Sequence, residues 1–365
     1  MLTQDKIKHC LTTQIINPFT NKPYFSLQHI KKVVCSNDCC AIDIETTYPM
    51  NLQTEKIEIE LREKLASQNG PQAVKEISIN WQCQVMPRAV QKGRQRLPGV
   101  RNTLAIASGK GGVGKSTTAV NLALALCDEG ARVGILDADI YGPSIPALLG
   151  VSHKPEVIDN NQMKPIVAFN LQLNSIGFLV DSRDAIIWRG PMATNALVQL
   201  ATHTAWDDLD YLIIDMPPGT GDIQLTLSQR IPVSGAVIVT TPQDIALLDA
   251  LRGAKMFEKV NIPVLGIIEN MSYFQCPHCG HAEAIFGAEG AQKIANELLL
   301  PVLGHIPLTR QIREQADLGL PISIVFPNSD AARNYSQIAH NMAALLDQQP
   351  KDYSHSFPPI VFTST

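Results

Sequence analysis

The chain has 365 residues, of which 45% are hydrophobic and 18% charged, so it can bury a full-sized core and is not a disordered tail. At roughly 150 residues per domain, this length favours two domains. The 30 basic and 34 acidic residues give a net charge of -4, which argues against binding of nucleic acids or anionic membranes through concentrated positive charge.

The sequence predicts neither a transmembrane helix nor a secretory signal. No apolar run approaches about 18 residues, and the lysines of the N-terminal MLTQDKIKHC are not followed by an apolar stretch. Eight cysteines are too few for a disulfide scaffold in a chain of this length. We therefore expect a cytoplasmic protein in which closely spaced cysteines indicate metal or redox chemistry.

Residues 1–85 are expected to form a small α+β domain. A strand-like alternation at residues 41–46 precedes a helical segment, residues 55–65, in which apolar residues recur at every fourth position. A second alternation follows at residues 74–79. Residues 86–101 combine prolines, glycines and basic side chains with little apolar content, which is typical of a linker.

From residue 102 to residue 346, short apolar runs alternate with helical segments. Near-continuous apolar runs are typical of strands that are buried on both faces of a parallel sheet. The predicted strands are residues 104–107, 133–136, 211–214, 236–239, 264–268 and 302–306. This pattern predicts a doubly wound, mostly parallel α/β domain with its ligand at the carboxyl ends of the strands, and residues 347–365 are expected to be a polar tail.

The first of these strands leads directly into a phosphate-loop pattern and then into a predicted helix, residues 116–128. The loop consists of Gly109, Lys110, Gly111, Gly112, Val113, Gly114, Lys115 and Ser116, followed by Thr117. Its glycines let successive backbone N–H groups surround a phosphate. Lys115 supplies charge for the β and γ phosphates, and the Ser116 hydroxyl is placed to bind Mg²⁺. The sequence therefore predicts a P-loop NTPase domain.

Three aspartates follow predicted strands of this domain. Asp137 and Asp139 follow one strand, and Asp215 follows another. A lone aspartate after a strand usually caps a turn, but carboxylates beside a phosphate loop favour metal and water roles. We interpret Asp215 as the Walker-B carboxylate, expect Asp137 and Asp215 to hold Mg²⁺ with Ser116, and interpret residues 216–222 as a loop that senses the γ-phosphate.

The phosphate loop contains a second lysine, Lys110, that the pattern does not require. Two lysines around one small loop repel each other unless anionic charge satisfies both. The run that begins at Lys110 resembles the deviant loop of the MinD/ParA superfamily. The resemblance implies that Lys110 reaches the nucleotide of a partner subunit and that ATP stabilises a face-to-face dimer.

A cysteine pair, Cys276 and Cys279, lies in the same domain. The C-x-x-C spacing brings two thiolates onto one turn and suits a soft metal such as zinc or iron. Such a site normally needs four ligands, and the domain has no second close cysteine pair. Two solutions follow: either His278 and His281 complete a structural zinc site, or a two-fold axis supplies two more cysteines from a second chain.

Five segments together closely resemble the Mrp/ApbC iron–sulfur cluster carrier proteins, over about residues 86 to 345. The segments are SGKGGVGKSTT at residues 108–118, DADIYGPS at 137–144, WRGPM at 188–192, DMPPGTGD at 215–222 and ENMS at 269–272. The resemblance implies a homodimeric ATPase that holds a cluster, 4Fe-4S in type, between its subunits and delivers it to apo-proteins. It implies neither a nucleic-acid partner nor a membrane partner.

The resemblance also implies roles for individual residues. Cys276 and Cys279 would bind the cluster, while Asn270 and Pro307 would lie near the adenine. The residues that it assigns to hydrolysis are Lys110, Lys115 and Asp139, of which Asp139 would position the attacking water.

The N-terminal domain resembles stand-alone iron–sulfur assembly factors, but it departs from them at one point. Those factors often carry a cysteine before the helix, where this chain reads TTYPM at residues 46–50. The alternative interpretation of the whole chain is a spatial-organising ATPase of the MinD/ParA type with a structural zinc knuckle. That class of protein needs an amphipathic membrane helix or a basic DNA-binding face.

Overall fold

The computed structural model describes residues 3–36, 39–69, 76–158, 162–180 and 190–353. Three parts of the sequence predictions lie outside the described residues. They are the start of the strand predicted at 74–79, the first two residues of the WRGPM segment, and residues 354–365 of the predicted tail.

The N-terminal part of the chain contains a three-stranded sheet and two helices. Its elements are α1 (Gln4–Thr13), β1 (Ile16–Asn17), β2 (Lys22–Pro23), β3 (Ile30–Ser36), β4 (Cys39–Thr46), α2 (Asn51–Asn69) and β5 (Glu76–Cys83). Strand β4 lies in the centre, antiparallel to β3 and parallel to β5. The predicted strand–helix–strand order is confirmed, and Ile57, Leu61 and Leu65, whose spacing predicted α2, are all buried.

The rest of the chain forms an eight-stranded sheet with helices. Its elements are β6 (Val100–Ala107), α3 (Lys115–Asp128), β7 (Val133–Asp137), α4 (Ile145–Leu148), β8 (Val157–Ile158), β9 (Gln162–Met163), β10 (Ile166–Ala168), β11 (Leu171–Ser175), α5 (Gly190–His203), β12 (Leu209–Asp215), α6 (Asp222–Arg230), β13 (Gly235–Thr240), α7 (Asp244–Lys259), β14 (Val264–Glu269), β15 (Phe274–Gln275), β16 (Ala282–Glu283), α8 (Gly290–Leu298), β17 (Val302–His305), α9 (Arg310–Asp317), α10 (Ile322–Val325) and α11 (Asp330–Asp347).

The sheet has the strand order β10-β11-β7-β12-β6-β13-β14-β17. Every neighbouring pair is parallel except β10 and β11. All six predicted strands lie in this sheet, so the predicted doubly wound, mostly parallel architecture is confirmed. Strands β10 and β11, at one edge, were not predicted.

Helices cover both faces of the sheet, which explains the apolar runs in the sequence. Leu104 and Ile106 of β6 enter the core that the N-terminal helices share, whereas Ala105 and Ala107 enter the core on the opposite face. Because successive side chains of a strand point to opposite faces, a strand covered on both sides must be apolar at nearly every position.

The segment expected to be a linker differs from that expectation, because several of its basic side chains form ion pairs with the rest of the protein. Arg88 is buried and forms an ion pair with Asp347 at the end of α11, while its backbone N–H donates to Asn102. Arg96 Nε lies 2.6 Å from a carboxylate oxygen of Asp352. Strand β6 begins at Val100, inside the expected linker. These ion pairs also hold the first residues of the expected tail against the protein.

The N-terminal sheet and helices pack on the end of α3 and on α11. The Glu129 side chain, at the end of α3, accepts a hydrogen bond of 2.9 Å from the backbone N–H of Leu52 in α2. On α11, the buried His340 ring lies between Tyr24 and Tyr48, with ring centroids 6.0 and 5.7 Å away. A buried carboxyl and an aromatic cluster thus join the two parts of the chain.

The buried carboxyl predicts a pH-dependent stability. Burial raises the pKa of Glu129 to about 7, although the hydrogen bond from Leu52 lowers it. Since ionisation is harder in the folded state, the contribution of Glu129 to stability is complete in acid and is lost as the pH rises from about 4.5 to about 7. Glu129→Gln keeps an acceptor for Leu52 and carries no charge. We expect it to raise the free energy of unfolding by about 1–2 kcal/mol at about pH 8, with most of the gain gone at about pH 5.

Urea unfolding at the two pH values measures this difference. Glu63→Gln, at an exposed position of α2, is the matched control and should leave the pH dependence unchanged. An equal gain for Glu129→Gln at both pH values would contradict the role of its charge.

Candidate functional site

The predicted phosphate loop connects the carboxyl end of β6 to α3, and its glycines serve two different purposes. A Cβ atom on Gly109 would lie 2.1 Å from the backbone carbonyl carbon of Asp249 in α7, so this glycine permits close packing. A Cβ atom added to Gly111 or Gly112 would have no other atom within 4 Å. Both glycines line a cavity of about 250 Å³. Their open side is where a phosphate would approach the backbone N–H groups.

A buried ion pair lies at the start of α3. Lys115 Nζ donates to Asp215 Oδ1 at 2.5 Å and lies 3.2 Å from Ser116 Oγ. The second oxygen of the Asp215 carboxylate has no hydrogen-bond partner in the described part of the chain. This unpaired oxygen and the adjacent Ser116 hydroxyl are the type of oxygen ligands that Mg²⁺ takes.

Asp137 lies opposite Asp215 in the β7–β12 pair and is fully buried. It accepts hydrogen bonds from Ser175 Oγ at 3.0 Å and from the backbone N–H groups of Ile145 and Asp139, both at 3.1 Å. Burial, and then the charge of Asp215, raise the pKa of Asp137. Two buried carboxylates against the single ammonium of Lys115 leave an excess of negative charge, which a divalent cation would neutralise. These residues therefore fit the predicted magnesium site.

The other two residues predicted to act in hydrolysis line the same cavity. Asp139 is half-buried and accepts a hydrogen bond of 3.3 Å from the Gly142 N–H. The ammonium of Lys110 forms no ion pair with any carboxylate that the structure describes, and its backbone carbonyl accepts from Ser108 Oγ at 2.9 Å. Lys110 thus presents an uncompensated positive charge at the phosphate loop.

A second cavity, of about 490 Å³, adjoins the phosphate loop, and we call it the base pocket after the adenine that the resemblance predicts there. Asn270 and Pro307, which the resemblance placed near the adenine, both line it, and Thr117 lines both cavities. Apolar side chains such as Ile312 form part of its wall. A phosphate cavity that adjoins a partly apolar pocket matches the shape of a nucleotide.

The predicted cysteine pair lies on a short hairpin formed by β15 and β16, which pair in antiparallel fashion. Cys276 is partly exposed and Cys279 is exposed. Backbone N–H groups of Cys279 and His278, together with the Cys279 side chain, lower the pKa of Cys276. Because the thiolate is the form that binds metals, this turn favours a soft metal.

The four-ligand zinc set of a single chain is not assembled. Within the described ranges, no three Cys, His, Asp or Glu side chains come together as a metal-binding group. His278 and His281, the proposed additional ligands, are both exposed. One chain therefore offers two sulfur donors without the other two ligands.

A short segment, residues 270–275, connects the base pocket to the hairpin, and we call it the strap. At its start, Asn270 Nδ2 donates to the Val113 carbonyl in the phosphate loop at 2.8 Å. Further along, Ser272 N–H donates to the Ile306 carbonyl at 3.0 Å, and the Tyr273 carbonyl accepts from Leu308 N–H at 2.8 Å. The strap is thus hydrogen-bonded to the loop on one side and to the wall of the base pocket on the other.

Three side chains, which we call the clamp, hold the first residues of the strap in place: Glu269, Ser272 and His305. Ser272 Oγ donates to Glu269 Oε1 at 2.5 Å, and His305 Nδ1 lies 3.2 Å from the same oxygen. The other carboxylate oxygen accepts from the Ala291 N–H at the start of α8, at 2.6 Å. Burial would raise the pKa of Glu269, but these hydrogen bonds hold it below its usual value. In the sequence, the only sign of this clamp is the ENMS segment, which contains Glu269 and Ser272 but not His305.

The WRGPM segment is described only from Gly190 onward, where it begins α5. A cavity of about 310 Å³ lies between the first turns of α5 and α6 and is lined by Thr194 and Asp222 among others. Met192 is exposed. Nothing in the described residues connects this segment to the nucleotide site or to the hairpin.

Residues 99–343 match a ParA-type family described as NUBPL iron-transfer P-loop NTPase. The chain belongs to this family. An iron-sulfur cluster carrier protein of Haemophilus influenzae is 48% identical over 91% of this chain and 90% of its own length. The carrier protein of Escherichia coli K12 is 46% identical over 94% of this chain and 95% of its own length, and mouse iron-sulfur cluster transfer protein NUBPL is 52% identical over 73% and 84%.

Solved structures agree with the fold. A nucleotide-binding protein from Archaeoglobus fulgidus, in complex with ADP, is 36% identical with a TM-score of 0.55, over 65% of this chain and 96% of its own. The cell division ATPase MinD of Pyrococcus furiosus is 23% identical with a TM-score of 0.53, over 67% and 99%. The predicted P-loop NTPase fold is confirmed.

The two kinds of glycine in the loop predict separable effects. Gly109→Ala forces a Cβ against Asp249 and should lower thermal stability and nucleotide affinity together. Gly111→Ala meets no other atom in the free protein. It should therefore change the unfolding temperature little, yet weaken nucleotide binding by about tenfold or more if the loop surrounds phosphate.

Thermal unfolding without nucleotide and titration with a fluorescent ATP analogue measure the two effects. Gly190→Ala is the matched control, because it lies outside the loop, has no atom within 4 Å of its Cβ position and, like Gly111, has no positive φ. If Gly111→Ala binds the analogue as tightly as the native chain does, the loop does not hold the phosphates.

Proposed function

We propose that this protein binds and hydrolyses ATP and, as a homodimer, carries iron–sulfur clusters of the 4Fe-4S type to apo-proteins. One observation carries the proposal: a phosphate loop with its carboxylates and an exposed cysteine pair lie in one domain and are joined by the hydrogen-bonded strap. Relatives named as cluster carrier and transfer proteins support it.

The nucleotide site supplies charge and position for phosphoryl transfer. Lys115, which is paired with Asp215 in the structure, would contact the β and γ phosphates. Ser116, Asp137 and Asp215 would hold Mg²⁺, which neutralises phosphate charge when bound. Asp139, at the cavity wall, would orient the attacking water, and Asn270 would contact the adenine next to Pro307.

The unpaired charge of Lys110 supports a dimeric arrangement. Its ammonium faces a cavity in which Lys115 already serves the phosphates of the same chain. Two cations side by side repel each other, so Lys110 gains most from an anion that the other subunit brings. Two chains facing each other across a two-fold axis would give each nucleotide one lysine of the partner.

The cluster is the cargo, and the cysteine pair supplies half of its ligands. Cys276 and Cys279 of two chains, related by the same axis, make a set of four thiolates. The exposure of Cys279 supports this arrangement, because a sulfur on the surface can be shared with a second molecule. It also supports delivery, because an incoming thiolate of an apo-protein can reach it.

The spatial-organising alternative has less support. The side of α11 that a membrane-binding helix would expose is buried, with Tyr335, Ile338 and Met342 in the core. Spanning helices are a separate matter, and over the described ranges no helix has the length and apolar character needed to cross a bilayer. The zinc knuckle of the spatial-organising alternative would require a third ligand beside the two cysteines, and the described residues do not provide one.

Cluster binding is tested by anaerobic reconstitution with iron and sulfide. The native chain should gain the visible absorbance of iron–thiolate charge transfer, with four irons for two chains and the mass of a dimer. Cys276→Ser and Cys279→Ser should each lose most of the absorbance. Cys83→Ser, at an exposed cysteine of β5, is the control and should keep it. A dimer that takes up only zinc would refute the cargo assignment.

We further propose that nucleotide occupancy changes the geometry of the hairpin through the strap. A nucleotide in the base pocket would touch Asn270, the first residue of the strap, whose side chain is hydrogen-bonded to Val113 in the phosphate loop. It would also touch the pocket wall at Leu308, which is hydrogen-bonded to Tyr273 of the strap. Through hydrogen bonds to Glu269, the clamp connects the first residues of the strap to β17 and α8. A shift of this pocket wall therefore reaches Cys276 through six residues of backbone.

Ser272→Ala tests this coupling, because it removes the shortest hydrogen bond of the clamp and leaves the nucleotide contacts in place. In the native chain without cluster, a non-hydrolysable ATP analogue with Mg²⁺ should change the alkylation rate of Cys276 and Cys279. The variant should bind the analogue with similar affinity and lose about half or more of that rate change.

Ser67→Ala in α2, at an exposed serine, is the control and should respond like the native chain. Rates are read by mass spectrometry of the hairpin peptide. A full nucleotide response in Ser272→Ala, or none in the native chain, would rule out this route.

A further inference from the structure

The N-terminal sheet carries a second pair of cysteines, which the proposed function does not use. Cys35 in β3 and Cys40 in β4 are register partners of the antiparallel pair. Their sulfur atoms are 2.6 Å apart, and both residues are free thiols. Residues directly opposite each other on antiparallel strands have Cα atoms about 4.5–5.5 Å apart, which lies within the range of about 4.4–6.8 Å that a disulfide spans.

The two sulfurs differ in their surroundings. Cys40 is buried, with 3% of its surface exposed, whereas Cys35 is only partly buried. Burial, and then the hydrogen bond with Cys35, raise the pKa of Cys40 to about 12. Cys40 therefore rests as a thiol, and the more accessible Cys35 is where a reagent from solution would first react.

Ordinary packing does not account for this arrangement. A buried free cysteine behaves as a small hydrophobic side chain, and Cys40 alone would fit that description. Packing alone, however, gives no reason for a second sulfur directly opposite the first and in contact with it. Because the two thiols face each other and are in contact, their sulfur atoms are already placed where a disulfide bond would join them.

We propose that Cys35 and Cys40 form a dithiol site that closes to an intramolecular disulfide by exchange with a small disulfide such as glutathione disulfide. The thiolate of Cys35 attacks one sulfur of glutathione disulfide, forms a mixed disulfide and releases one glutathione thiolate. Cys40 loses its proton and attacks the Cys35 sulfur, which releases the second glutathione. Two protein thiols are oxidised, one glutathione disulfide is reduced to two thiols, and the two protons pass to glutathione.

Closure would join the edge strand of the N-terminal sheet to the central strand. In the described residues of this three-stranded sheet, β3 pairs with β4 alone, so the bond would add a covalent link to the edge of the sheet. The pair lies in a different sheet from the phosphate loop and the cysteine hairpin. The redox chemistry of this pair can therefore be tested independently of cluster binding.

The test uses the full-length chain with Cys39→Ser, so that the tryptic peptide from Val33 to Lys56 contains only Cys35 and Cys40. The protein is equilibrated with graded ratios of glutathione to glutathione disulfide, quenched with acid, alkylated and digested. We expect this peptide to lose the mass of two hydrogen atoms. The closed fraction relative to the open one should be at least about tenfold higher in the folded protein than in urea at the same ratio.

Two comparisons decide the result. Adding Cys35→Ser should prevent the mass loss and leave Cys40 reduced, because the buried thiol lacks its partner. In the native chain, fragmentation of the peptide should place the bond between Cys35 and Cys40. The proposal is overturned if both sulfurs alkylate in every mixture, if each takes up glutathione separately, or if the native bond involves Cys39.

Discussion

A single side-chain amide holds the phosphate loop against the segment that leads to the cysteines. Asn270 donates from Nδ2 to the Val113 carbonyl, while its own backbone N–H donates to Thr240 at the end of β13. The amide lies so close to the loop that a Cβ on Gly114 would be 2.2 Å from it. Because these polar groups are buried, leaving one unpaired costs about 1–3 kcal/mol. The shape of the loop, the base pocket and the start of the strap therefore depend on one another.

The buried charged side chains at the phosphate loop already have partners, which a bound magnesium nucleotide would replace with new ones. Without it, Lys115 is paired with Asp215, and Asp137 takes three hydrogen bonds from its surroundings. A phosphate attracts the lysine and a divalent cation attracts the carboxylates. Lys115 and Asp215 would then each pass from one opposite charge to another, and Asp137 would gain one, which avoids most of the cost of leaving a buried ion unpaired.

The sequence was most informative where structure depends on local chemistry. A strand covered on both faces has to be apolar throughout, and the phosphate loop needs glycines and lysines at fixed spacing, so both could be predicted. Strands β10 and β11 escaped prediction because their short runs are joined through Phe169 and Asn170, both with positive φ. Such a turn has no strong signature when neither residue is glycine.

Contacts between distant parts of the chain could not be predicted in the same way. The partners of Arg88 and Arg96 lie more than 250 residues further along the chain, so the basic segment had the composition of a solvated linker. The clamp joins Glu269 to His305 across two strands. The sequence gives no sign that Cys35 lies opposite Cys40, because only the register of β3 against β4 places them side by side.

Sharing one symmetry axis between two sites places a strong constraint on the proposed dimer. The rotation that brings Lys110 to the partner's nucleotide must also bring two hairpins close enough to share four thiolates. The strap makes both conditions compatible, because the six residue steps from Asn270 to Cys276 span at most about 22 Å. In the proposed dimer both sites would therefore lie close to the same axis. A change in how the subunits meet at the nucleotide would then alter the distance between the two cysteine pairs, so a rotation that responds to ATP would also set how tightly the cluster is held.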